Sequence, residues 1–209
     1  MSQRLILPIN KCRITAGYKN ANYTREFGYT HYGVDMTDKD RKDYTLYASG
    51  KGTVSHAGYN KSGGNVVVIV YKDCELPIGG TRDIVLRYFH LKTIKVRVGQ
   101  KVNKDTVIGL YGNTGYSSGA HLHLECDTDA NYPNYTPQIA SGASNSVLKK
   151  GVATTMLNPT SVLWVKTTRP DYQKVVSSGY NTVSKSDIAY KETDRIWKKH
   201  YWRCYTRFL

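Results

Sequence analysis

From His121 to Cys126 polar and apolar residues alternate strictly, as His121-Leu122-His123-Leu124-Glu125-Cys126. Successive side chains of a strand project to opposite faces, so a period of two marks a strand rather than a helix. The alternation predicts a half-buried strand with His121, His123 and Glu125 on one face. Leu122, Leu124 and Cys126 share the other. Upstream, short apolar or alternating runs recur between turn residues, predicting strands over 44–48, 52–57, 65–71, 83–91 and 106–111. Residues 96–102 read as a further strand broken by a turn. The run 65–71 is nearly all β-branched, as expected of a strand buried on both faces. No helical period competes across 44–126, and no internal repeat is present. The pattern predicts a mainly β fold, a compact and largely antiparallel sheet domain.

The flanks are less regular. Residues 1–30 give a short apolar start and then a polar approach rich in Tyr and Asn. The charged stretch from Asp38 to Asp43 reads as a solvated loop. Residues 127–157 turn polar, with Pro133 and Pro137, and read as a long insertion. Residues 158–164 close a domain running from 1 to 164. Residues 165–209 form a basic, aromatic C-terminal extension with ten Lys/Arg and four Asp/Glu. Its end, Trp197 to Tyr205, interleaves cations and aromatics, a mixture that suits a glycan or polyanion as well as a solvated surface.

Composition narrows the class. At 209 residues, 40% of them hydrophobic and 22% charged, the chain can bury a full core. It has no apolar stretch long enough to cross a membrane, so membrane insertion is not expected. The net charge of +14 calls for an anionic partner. Nucleic acid and an anionic cell wall fit that charge equally. The basic residues are dispersed, however, and no zinc-finger spacing accompanies them, so nucleic acid is not the expected partner. Cys12, Cys74, Cys126 and Cys204 lie far apart, which predicts buried free thiols rather than a ribbon or redox pair. The first residues lack the apolar core of a signal peptide. The expectation is therefore a protein made in the cytoplasm and released by lysis, or carried on a phage particle, that acts on the wall.

Six histidines are available for chemistry: His31, His56, His90, His121, His123 and His200. His31, Gly33 and Asp35 would face one way on an extended segment, with Gly33 leaving space between the other two. Imidazole and carboxylate suit zinc, which takes three protein groups and a water at catalytic sites. The third ligand would come from His121 or His123. Spare histidines beside three ligands point to an open, catalytic site rather than a closed structural one. His56 and His200 are expected to be structural or surface residues. Glu125 is expected either to support a ligand or to lie at the surface.

These segments resemble a known family. His31-Tyr32-Gly33-Val34-Asp35 is similar to the first metal motif of the lysostaphin/LytM-type zinc endopeptidases, and His121-Leu122-His123 to the second. Tyr88-Phe89-His90-Leu91 resembles the family's intervening catalytic-histidine segment. The strand-turn pattern over 98–102 and 107–115 agrees as well, and the likeness covers roughly residues 28–126. It implies that His31, Asp35 and His123 are zinc ligands and that His121 and His90 are the catalytic pair. An aromatic ahead of the first ligand assists in some members, which nominates Tyr23 or Tyr29. Where the family often carries glycine this chain has Asp105, a change confined to a turn. The implied activity is hydrolysis of peptide bonds in bacterial peptidoglycan, in the stem peptide or the cross-bridge, as by a phage or prophage lysin. The alternative is an inactive module that binds the wall or a partner hydrolase.

Overall fold

The structure, a computed structural model, describes residues 1–137, 148–149, 155–165, 174–177 and 190–191. The chain starts with β1 (Leu5–Ile6) and β2 (Lys11–Ala16), followed by helix α1 (Ala21–Phe27). Then come β3 (Gly33–Asp38), β4 (Thr45–Tyr47), β5 (Gly52–Asn60), β6 (Gly64–Glu75) and β7 (Thr81–Ile94). Four strands follow: β8 (Lys101–Val102), β9 (Val107–Tyr111), β10 (Leu122–Asp127) and β11 (Thr136–Pro137). Short pieces complete the list: β12 (Leu148–Lys149), β13 (Met156–Leu157), a 3₁₀ turn (Pro159–Ser161) and β14 (Leu163–Val165). From the extension, β15 (Lys174–Ser177) lies beside β2, and β16 (Tyr190–Lys191) beside β14.

One large sheet organises the domain, in the order β15-β2-β3-β10-β7-β6-β5-β8, with β4, β9 and β13 attached. From β2 to β8 every pairing is antiparallel. The mainly β, antiparallel expectation holds. β6 shows why the centre is stable. Val67 and Ile69 join the main core with Leu86, Tyr88, Leu122 and Leu124. Val66 and Val68 pack on the opposite side against Val85 and Phe89. Branched side chains fill both faces of the pleat, as their continuous run predicted.

Several local expectations change. Residues 96–98 are not strand, and only Lys101–Val102 pairs with β5. β10 is buried along its whole length rather than half-buried. Asp38 is not solvated: it is 2% exposed and its carboxylate accepts the N–H groups of Asp40, Lys42 and Asp43. Only the residues after it form the exposed turn. Helix α1 was not foreseen. It has no buried residue and is set by its ends: the Asn20 side chain accepts from two N–H groups, and Gly28 closes it at φ +76°. Cys12, Cys74 and Cys126 are buried free thiols as expected, while Cys204, His200 and the aromatic end of the extension lie outside the described residues. Among the described residues no helix is long and apolar enough to cross a membrane.

Candidate metal centre

Strand pairing brings the predicted residues together. β3 and β10 run antiparallel with Asp35 opposite His123. β10 also pairs with β7, placing His123 opposite Phe89, the residue before His90. His31 sits just ahead of β3 and its ring meets Asp35 of that strand. The three groups are almost sealed from solvent, at 1% for His31, 6% for Asp35 and 5% for His123.

Asp35 Oδ1 lies 3.0 Å from His31 Nε2 and 2.8 Å from His123 Nδ1, and the two nitrogens are 3.0 Å apart. The outer nitrogen of His31 settles its tautomer. Nδ1–H donates to the Gly17 carbonyl at 2.7 Å, so the lone pair sits on Nε2 and points inward. The Nε2 lone pair of His31, Nδ1 of His123 and a carboxylate oxygen thus converge, a set of ligand atoms that suits a cation. Asp35 shows the same preference. Burial pushes its pKa up, but the imidazoles of His31, His121 and His123 around it outweigh this and hold it well below the usual carboxylate range. For His123 burial pulls the pKa down, yet the hydrogen bonds to Asp35 and Glu125 raise it to about 9.

Gly33 does not leave empty space, as the sequence suggested. The His123 ring fills it: a Cβ on Gly33 would lie 2.6 Å from both Cε1 and Nε2 of that ring. Overpacking of this kind costs about 1–3 kcal/mol, so Gly33→Ala should weaken metal binding by about 5–150-fold, read by competition with a chelator. Unchanged affinity would show that the ring can yield.

Two further histidines border the centre. His121 Nδ1–H donates to the Gly119 carbonyl at 2.7 Å, leaving Nε2 as an acceptor 3.5 Å from Asp35 Oδ1. His90 Nδ1–H donates to the Thr114 carbonyl at 2.8 Å, and its ring centroid is 5.0 Å from that of His121. In the neutral form of each ring the lone pair is therefore on Nε2. Burial, with the charges of His121 and His123, pulls the His90 pKa down to about 3. His90 also holds φ +64°, rare for a residue with a side chain. Such strain gathers at functional sites. Tyr23 stacks on His31 at 4.2 Å between centroids, and its hydroxyl is 3.4 Å from that of Tyr29. Burial, then the charge of Asp35, raises the Tyr23 phenol, which stays protonated. His56 lies apart on β5, half-buried.

A groove of about 610 Å³ opens at Asp35, lined by Tyr23, Phe27, Tyr29, Tyr116, Ser117 and His121. The sequence reading had not singled out Arg87. Its signal was a guanidinium inside the apolar run 84–91, and the structure buries it completely beside Glu125 and Asp127. Glu125 is buried, not at the surface.

The profile of peptidase family M23 matches residues 29–135, just over half of the chain, and takes in His31, Asp35, His90, His121 and His123 but not Gly17, Tyr23 or Phe27. The chain belongs to peptidase family M23. The matched span runs past residue 126 and takes in the start of the insertion. This M23 chain is 33% identical to glycyl-glycine endopeptidase ALE-1 of Staphylococcus capitis, over 56% of the chain and 32% of that protein. It is 42% identical to peptidoglycan DD-endopeptidase ShyA of Vibrio cholerae, over 38% of the chain and 16% of that protein. The M23 chain thus spans a third or less of these relatives. The solved structure of the SpoIIQ–SpoIIIAH pore forming complex shares the fold, with a TM-score of 0.53 and 23% identity over 78% of this chain and 92% of that one.

Proposed function

We propose that the chain is a zinc-dependent endopeptidase that hydrolyses peptide bonds of bacterial peptidoglycan. The observation that carries this reading is the convergence of His31, Asp35 and His123, whose ligand atoms lie within 4.8 Å of one another beneath an open groove. His31 Nε2, Asp35 Oδ1 and His123 Nδ1 would hold the ion. Zinc held there would supply a Lewis acid, polarising a scissile carbonyl and making water a better nucleophile near neutral pH.

The rest is done by the chain's own groups. His121, which lines the groove and in its neutral form carries the lone pair on Nε2, takes the proton of the attacking water and later gives it to the leaving amine. His90 stays neutral with its only N–H spent on Thr114, so its Nε2 accepts a hydrogen bond and orients that water. The protonated Tyr23 hydroxyl can donate to the oxygen that gains charge. The groove is large enough to seat a substrate chain beside the centre. Peptidoglycan as substrate draws on the named activities of the relatives and on a charge of +14 suited to an anionic wall.

The test is digestion of purified peptidoglycans of differing cross-bridge, with zinc and with a chelator, followed by mass spectrometry of released fragments. Chelator-sensitive release of new amino termini is expected. Walls left intact with zinc supplied would overturn the reading. Because His90 does not titrate above about pH 3, His90→Ala should lower turnover by the same factor at pH 5.5 and pH 8. A loss that grows with pH would instead make His90 the titrating base.

A further inference from the structure

Behind the ligand His123 lies a buried ionic cluster that the reaction above does not use. His123 Nε2 faces Glu125 Oε1 at 3.4 Å. The other oxygen of Glu125 accepts from the Thr136 hydroxyl and lies 3.7 Å from Arg87 Nη1. Arg87 in turn donates to Asp127 at 2.7 Å and to the Pro133 carbonyl at 2.9 Å. Pairing explains the assembly: Arg87 stands opposite Glu125 across β7 and β10, and His123, Glu125 and Asp127 share one face of β10. Glu125 and Arg87 have no solvent exposure. Taking such ions out of water costs several kcal/mol each before pairing, and apolar residues of similar size often serve stability as well. Stability alone is a poor account of the cluster.

Two features point it at the metal centre. First, the His123 ring is fixed in place, with Gly33 against one edge and Phe89 in T-shaped contact at 5.5 Å. Second, Glu125 and Asp127 share the single Arg87 guanidinium while Asp35 meets the other side of the His123 ring, so buried carboxylates outnumber the one buried guanidinium, an excess of negative charge that favours a cation in a site of low dielectric.

We propose that Glu125 is a positioning residue for the metal centre. It accepts the Nε2–H of His123 and so holds the ring in the tautomer whose lone pair is on Nδ1, the nitrogen facing Asp35 and His31. Arg87 and Thr136 hold Glu125 in that position. The inference rests on the reading of His31, Asp35 and His123 as the metal site.

The experiment measures zinc affinity of the full chain by competition with a chelator, together with the visible spectrum of the cobalt(II)-loaded protein. Glu125→Gln keeps an oxygen that can accept from Nε2–H and should bind zinc within about threefold of wild type, whereas Glu125→Leu should bind about 10–100-fold more weakly. The cobalt bands should shift in Glu125→Leu and stay in place in Glu125→Gln. Leucine binding as tightly as wild type overturns the proposal. Equal weakening by glutamine and leucine, with native circular dichroism, also overturns it, because an acceptor is then not what matters. Should the leucine variant fail to fold, Thr136→Val decides: it loosens Glu125 without touching His123 and should shift the cobalt bands, and an unchanged spectrum overturns the proposal. Wild type and His123→Ala separate this from the parent reading. If wild type binds no zinc, or His123→Ala binds as wild type does, the metal site itself is misassigned and the proposal falls with it.

Discussion

His121→Ala should cost about 10²–10⁴ in turnover while zinc stays bound, whereas His123→Ala should lose the zinc. The two histidines are next-but-one neighbours on the same strand face, so the contrast tests geometry rather than location. His123 is sealed at 5% exposure and turns Nδ1 to the Asp35 carboxylate at 2.8 Å. His121 is more open, with 16% of its side chain exposed, and lines the groove. Its Nε2 is 3.5 Å from the same carboxylate oxygen, close enough to border the centre. The Gly119 carbonyl holds its other nitrogen, which leaves Nε2 turned towards Asp35. Metal content per chain and the rate of peptide release, measured on the same preparations, check both outcomes. Zinc loss of equal size in the two variants would show that His121 is a ligand and that its role as base is wrong.

The placement of these residues was partly legible in the sequence. Exact alternation from 121 to 126 put Leu122, Leu124 and Cys126 in the core and both histidines on the other face, because a strand's period admits no other arrangement. The order of the histidine motifs along the chain then matched how β3, β7 and β10 pair. Long-range fit was not legible. Gly33 looked like vacant space, but only the folded sheet shows which ring fills it. Helix α1 has seven residues and no buried face, so hydrophobic periodicity carried no sign of it. Asp38 sits in a charged stretch that reads as solvated, and its burial depends on a turn whose N–H groups need an acceptor. Arg87 escaped notice because an arginine in an apolar run has no periodic signature, and its partners come from β10 and the Pro133 segment.

Arg87 also sets the largest expected effect on stability. Arg87→Ala would leave Glu125 and Asp127 buried without their guanidinium and the Pro133 carbonyl without its donor. Breaking a buried pair by removing one partner costs about 3–5 kcal/mol, a large part of a typical total of about 5–15 kcal/mol. At about 2–4 °C per kcal/mol for a chain of this size, the melting temperature should fall by about 6–20 °C. The control is Lys72→Ala, which breaks the 2.6 Å pair with Asp83 on the surface, where the side chains are 65% and 36% exposed. Solvent screens that pair, and its loss should cost no more than about 1 kcal/mol. Burial rather than distance should therefore rank the two variants, although their ion pairs are of nearly equal length. Arg87→Lys should fall between them, since one ammonium cannot serve Asp127, Glu125 and the Pro133 carbonyl together. Thermal unfolding of the zinc-free chains gives the comparison directly. Equal melting temperatures for Arg87→Ala and Lys72→Ala would mean that the cluster adds nothing to stability. Zinc, binding only the folded state, should raise every melting temperature in the series. Its increment should be smaller in Arg87→Ala than in Lys72→Ala, because Arg87 holds the carboxylate that positions His123.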